Sequence, residues 1–304
     1  MPNGLLLIDK PVGLRSAECV ARVKKHFAGA RVGHAGTLDS TASGLLIVLL
    51  GLATRLSDYV MKLSKVYEAE VCLGVSTDTC DSSGQVVFRG DAAKVDEAAF
   101  DSVLRSFWGE RMQLPPGISA LKVGGKPSHR IVRSGGAERP KARPVYVTSV
   151  KRCSPLREGR VRISVTCGKG TYIRSIVRDI GEILQCGACV TELRRLSTGP
   201  FHVRDALLPD ATEEMELRLR SPAEVGAHFH RVSLSPDAER RLMDGLCVPL
   251  GEAGRYVPGS VSLSGGVYVE GKRMIGFADI ETGAKGELCL RPKTNIIAGP
   301  EELR

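Results

Sequence analysis

Twelve residues, GHAGTLDSTASG from Gly33 to Gly44, set one carboxylate, Asp39, and one imidazole, His34, among small and hydroxyl side chains, between a basic segment and an apolar run. Gly33 and Gly36 permit sharp turns and close approach of the backbone to a ligand. By default an aspartate in such a loop is an Asx-turn or a helix cap. A chemical role would make demands on the rest of the chain. Glycoside hydrolysis needs a second carboxylate close by, phosphoryl transfer a GxxxxGK[ST]-type cradle that is absent here, and a metal centre ligand clusters that are missing. What stays open is a carboxylate acting singly, as nucleophile or stabiliser. In a desolvated pocket it would need a cation to stay ionised. Arg174, in GKGTYIRS, is a candidate for that cation, where a glycine-rich strand exit opens a helix whose N–H groups also suit phosphate. Its plainer reading is a surface arginine in a first turn.

Other residues carry two readings each. Tyr67 heads an alternating strand just after Lys65, as a sheet tyrosine or as a ring that stacks on a base. His34 is by default a polar loop residue. Asp78 and Asp81 in TDTCDSSG are turn formers that lack calcium-loop spacing. The nine cysteines are an odd, scattered set and read as reduced cytosolic thiols. Cys186 and Cys189 form CGAC, with no second pair to complete a zinc set.

These residues need elements to position them. GLLLIDKPVG reads as a buried strand stopped by Pro11 and Gly13, and SAECVARVKKHF as a helix with Val20, Val23 and Phe27 inward. TASGLLIVLLGLATRLSDYVMK is either a helix or a strand followed by a helix, because periodicity does not decide. VYEAEVCL alternates as a half-buried strand, joined by a polar turn to a neighbour at Val86, Val87 and Phe88. A helix is expected over 95–108, strands over RPVYVTSVKRC and GRVRISVTCGKG, and a helix over TYIRSIVRDIGEILQCGA with Ile173, Ile176, Ile180 and Leu184 inward. From about residue 230 the texture changes to short glycine-punctuated strands, including RRLMDGLCVPL, as in a small β-rich module.

Charge narrows the partner. The chain of 304 residues carries a net charge of +9, and residues 111–152 alone hold ten basic side chains against Glu138, 10 − 1 = +9. With five glycines, five prolines and Tyr146 as its aromatic residue, this block buries little and reads as a cationic arm, a solvated loop or a phosphate-binding device. No apolar run approaches a signal core or a membrane span, so the chain reads as soluble and not exported.

Taken together, LLLIDKPVG, VGHAGTLDSTASGLLIVLLGLATRL, KVYEAEVCLGVSTDTCDSSG, LPPGISALKVGGK, GKGTYIRSIVRDIGEIL and CVTELRRLSTGPF resemble, in order and spacing, the bacterial TruB family, which makes pseudouridine at uridine 55 in the T loop of tRNA. The resemblance covers about residues 4 to 203. It implies an α+β fold: a mixed central sheet flanked by helices, residues 1–228, with a thumb inserted at about 111–145, and a small PUA-like RNA-binding domain at 229–304. Asp39 then matches the catalytic aspartate, Arg174 its arginine partner and Tyr67 the tyrosine that stacks on the target uracil. Leu193 matches the apolar residue beside that base, Asp81 a second acid near the pocket, and His34 the histidine that enters the T loop. Lys10 and Pro11 match a lysine–proline pair near the active site, and Lys122, Lys126, Arg130 and Arg133 fall in the thumb as RNA-binding cations. The implied protein is a cytoplasmic monomer that binds the tRNA T stem-loop, with no cofactor and no metal. A tRNA-folding chaperone, or a pseudouridine synthase for another RNA, is the alternative. Four positions depart from the family pattern: Ser40 and Ile47 replace common prolines, Arg15 a serine or threonine, and His129 a thumb tyrosine.

Overall fold

The computed structural model describes residues 2–117, 122–123, 126–127, 141–272, 274–283 and 286–297. The fold is α+β, and the chain packs as two compact units, one of residues 1–40, 44–63 and 198–304, the other of 41–43 and 64–197.

In the first unit, GLLLIDK forms strand β1 (Gly4–Lys10), buried along nearly all its length as an unbroken apolar run requires. Helix α1 (Ser16–His26) buries Cys19 and Val23, while Val20 is only half-buried. Arg15 at its N-cap offers no side-chain cap; instead its N–H donates to Glu18 Oε2 at 2.7 Å. Strands β2 (Val32–Ala35) and β3 (Ser43–Leu50) follow, and β3 pairs antiparallel with both β1 and β2. The ambiguous apolar run is thus a strand as far as Leu50. Gly51 (φ +58°) then turns the chain through a 3-10 turn (Gly51–Leu56) into α2 (Ser57–Lys62). Ile47 is fully buried and faces Leu7 and Ala35 across the two ladders.

The second unit is built on β4 (Lys65–Leu73), the ribbon β5 (Val75–Thr77) with β6 (Val86–Arg89), α3 (Glu97–Arg105) and β7 (Gly109–Gln113). The two-residue strands β8 (Lys122–Val123) and β9 (Lys126–Pro127) pair with each other. Then come β10 (Arg143–Arg152), β11 (Arg160–Cys167), α4 (Ile173–Ile183) and β12 (Ala188–Thr198). Sheet order is β12-β4-β11-β10-β7. Phe100 and Leu104 of α3 and Ile173, Ile176 and Ile180 of α4 pack on the alternate residues Ala69, Val71 and Leu73 of β4 within one core. The expected strand at 86–88 exists, but its partner is β5. Gly74 (φ +88°) ends β4 and starts a separate ribbon whose β6 residues are all exposed.

The first unit resumes with β13 (Phe201–His202) and the strands β14 (His230–Leu234), β15 (Val248–Pro249), β16 (Gly254–Val257), β17 (Val267–Glu270), β18 (Met274–Thr282) and β19 (Leu288–Ile297). The last six form one sheet, ordered β15-β19-β18-β17-β14-β16, in which β14 and β17 run parallel. RRLM, expected to be extended, is instead the end of helix α5 (Pro236–Met243). Ser235 caps α5 by accepting from the Ala238 N–H, and Pro236 opens it. The β-rich module shares its core with α2: Tyr59 stacks on Phe277 with centroids 3.6 Å apart, and Lys62 Nζ donates to the Gly265 carbonyl at 2.7 Å.

Candidate active site

Asp39 lies outside any helix or strand, between β2 and β3, and is half-buried. Gly36 at φ +88° carries the chain out of β2 in the left-handed region, which glycine enters without strain. The carbonyl of Ser40 accepts from the Gly13 N–H at 2.7 Å. That donor is itself held in place, because Lys10 is fully buried and its ammonium donates to the carbonyls of Pro11 (2.8 Å) and Leu14 (2.7 Å), on either side of Gly13. Lys10 therefore organises a turn. A buried ammonium that donates to backbone carbonyls is placed to hold chain. His34 stands on β2 opposite Val48, half-buried.

In the second unit the buried Asp81 is met by the buried Arg174. Cys80 precedes it in the left-handed region (φ +59°), an uncommon conformation for a non-glycine residue, and this turns the Asp81 carboxylate inward. Asp81 Oδ1 accepts from Thr79 Oγ1 at 2.8 Å, from the Ser83 N–H at 3.0 Å and from Ser83 Oγ at 2.5 Å. Asp81 Oδ2 lies 3.5 Å from Arg174 Nη1, with both side chains more than nine-tenths buried, and accepts from Thr41 Oγ1 at 3.3 Å. Arg174 Nη1 also donates to the Thr79 carbonyl at 2.7 Å. Thus the second acid is a direct ion-pair partner of Arg174, and Thr41, two residues beyond Asp39 in the chain, is tied to that pair. Two buried opposite charges in this setting are worth keeping only as a set, since loss of one strands the other.

Arg174 is the second residue of α4, but the N–H groups at this helix start are partly taken. Gln113 accepts from the Tyr172 N–H at 2.8 Å and donates to the Tyr172 carbonyl at 3.1 Å. Tyr67 on β4 and Leu193 on β12 are half-buried and pack on the same core. Their neighbours two residues along, Lys65 and Arg195, share their strand faces by the period-two rule and are buried. Arg195 Nη1 donates to Tyr67 Oη at 3.5 Å. Burial, with the Arg195 charge beside it, holds the Lys65 ammonium well below its usual range, at about 7. Sequence reasoning did not single out Thr41, Lys65 or Arg195. For Lys65 and Arg195 the available signal was a charge two positions from Tyr67 or Leu193, on the same strand face.

Lys122 and Lys126 lie on β8 and β9, whereas Arg130, Arg133 and His129 fall outside the described residues. Cys186 and Cys189 are buried free thiols, and burial pushes the Cys189 thiol up to about 11, which leaves it a packing residue. Among the described residues no group of three or more His, Cys, Asp or Glu is placed to hold a metal ion, and no helix is long and apolar enough to cross a membrane.

Comparison with known proteins bears on this arrangement. Residues 24–173 match the model of the TruB family pseudouridylate synthase N-terminal domain, and residues 174–217 that of the tRNA pseudouridylate synthase B C-terminal domain. The tRNA pseudouridine synthase B of Syntrophotalea carbinolica is 39% identical over 250 residues, covering 80% of this chain and 81% of the relative. That of Burkholderia mallei is 36% identical over 302 residues, 98% of each. Among solved structures, that of a Cbf5-Nop10-Gar1 complex matches with a TM-score of 0.75 at 25% identity, covering 99% of this chain and 87% of that one.

Proposed function

The chain belongs to the TruB family of pseudouridylate synthases and converts uridine in tRNA to pseudouridine; we propose that the uridine is position 55 of the T loop and that Asp39 is the carboxylate at the glycosidic bond. The observation that supports this reading is the buried Asp81–Arg174 pair, to which Thr41, two residues after Asp39 in the chain, is hydrogen-bonded. The reaction balances internally. The N1–C1′ bond breaks, the uracil turns, C5 joins C1′, C5 gives up a proton and N1 gains one. No electron is transferred and no group is added, so a carboxylate and a proton acceptor suffice. Asp39 acts through the sugar, and Tyr67, its phenol oxygen held by Arg195, stacks on the uracil and helps remove the C5 proton.

The target base must leave its stack, at a cost of roughly a few kcal/mol. Stacking on Tyr67, contact with Leu193 and entry of His34 into the vacated space offset that cost. The cationic arm, with Lys122, Lys126, Arg130 and Arg133 in the thumb, supplies phosphate contacts. Residues 229–304 act as a PUA-like RNA-binding module behind the catalytic residues 1–228. The enzyme works as a monomer in the cytoplasm. Pseudouridine mapping of total RNA from cells with and without this chain tests the target: a single loss at position 55 of tRNAs is expected. Loss only from ribosomal or other RNA would transfer the activity to a different substrate, and no loss anywhere would favour a folding chaperone.

A further inference from the structure

Ser16 opens α1 and is only 3% exposed. Its hydroxyl lies 3.0 Å from the carbonyl oxygen of Leu38, to which it donates, and 3.0 Å from the amide nitrogen of the same residue, from which it accepts. A hydroxyl has one proton and two lone pairs, so both bonds form together. Leu38 is itself buried and lies outside any strand or helix. Its backbone groups have no ladder to join, and Ser16 satisfies both across 22 residues of sequence. Leu38 immediately precedes Asp39. On the other side Ser40 gives its carbonyl to the Gly13 N–H. The three residues centred on Asp39 are thus gripped at both ends by residues 13–16.

A proline at position 40 would have fixed its own φ and pushed Asp39 toward extended backbone. Ser40 gives no such restraint from within the loop, so the restraint has to come from outside it. We propose that Ser16 is a positioning residue for catalysis, holding the backbone on which Asp39 is carried. This rests on the reading of Asp39 as the catalytic carboxylate. Ser16 touches the neighbour of that residue and leaves the carboxylate itself to its own contacts.

The test uses the full chain and a T-arm stem-loop, with kcat, KM, RNA Kd and Tm measured for Ser16→Ala, Ser16→Cys and Asp39→Asn. Misplacing a reacting group by about an ångström costs on the order of 100-fold. Ser16→Ala is therefore expected to lose roughly 10- to 100-fold in kcat with KM and Kd essentially unchanged. Ser16→Cys, with similar bulk and a weak S–H donor, should fall between serine and alanine, and it carries the test if the alanine variant fails to fold. The double variant Ser16→Ala/Ser40→Pro should recover part of the lost kcat, a rescue that a purely structural role does not give. Wild-type kcat in folded Ser16→Ala or Ser16→Cys, while Asp39→Asn is inactive, overturns the role of Ser16 alone. Full turnover by Asp39→Asn removes the reading beneath it and the proposal with it.

Discussion

Lys10 and Lys65 are both buried lysines, and they are buried for different ends. Lys10 gives its ammonium to two carbonyls of the turn that offers Gly13 to the Asp39 loop. Lys65 sits two residues before Tyr67 beside Arg195, and burial and that like charge lower its titration from 10.5 to about 7. The sign of its effect on stability follows. Below about pH 7 the folded chain carries the whole cost of a buried charge. Between about 7 and 10.5 the folded lysine is neutral while the unfolded one is still charged, so the cost fades as pH rises. Lys65→Met should therefore stabilise the fold over wild type, most at pH 6.5 and least toward pH 10, as read by urea unfolding. A gain independent of pH would contradict this. Linked motifs single out Asp39, Tyr67, Arg174 and Asp81 in the sequence. The ion-pair partnership of Arg174 with Asp81 was not legible there, since Asp81 sits in a turn segment that looks like solvated loop until Cys80 turns it inward.

Elements show the same division between what pattern fixes and what packing decides. The alternation of β4 and the 3.6-residue stripe of α4 were readable because each has one apolar face. β3 was not, because it is buried on both sides and has no alternation to read. In RRLM the helix cue was present, Ser235 followed by Pro236, but nearby glycines suggested strands. α4 also meets a constraint that only coordinates reveal. A Cβ on Gly181 would lie 2.2 Å from the Ala188 nitrogen and 2.4 Å from the Gly187 carbonyl carbon, both backbone atoms that cannot swing aside. Gly181→Ala should therefore cost about 1–3 kcal/mol by overpacking, despite the better helix propensity of alanine. An unchanged urea midpoint would show that α4 moves freely off the chain entering β12.

At the scale of the molecule, composition separated a neutral body from a cationic arm and marked a change of texture near residue 230. It did not reveal that residues 1–40 and 44–63 pack in one unit with the chain after 197. Contacts such as Tyr59 with Phe277 join residues more than two hundred apart, and no local pattern encodes them. The whole assembly, on this account, delivers one uridine to one carboxylate. The direct measurement is tritium release from a T-arm stem-loop labelled at C5 of its target uridine, with RNA binding followed in the same samples. Wild-type enzyme should release the label as C5 joins C1′, and Asp39→Asn should bind the RNA with near wild-type affinity and release none. Release by Asp39→Asn at the wild-type rate, or wild-type binding without release, would contradict it.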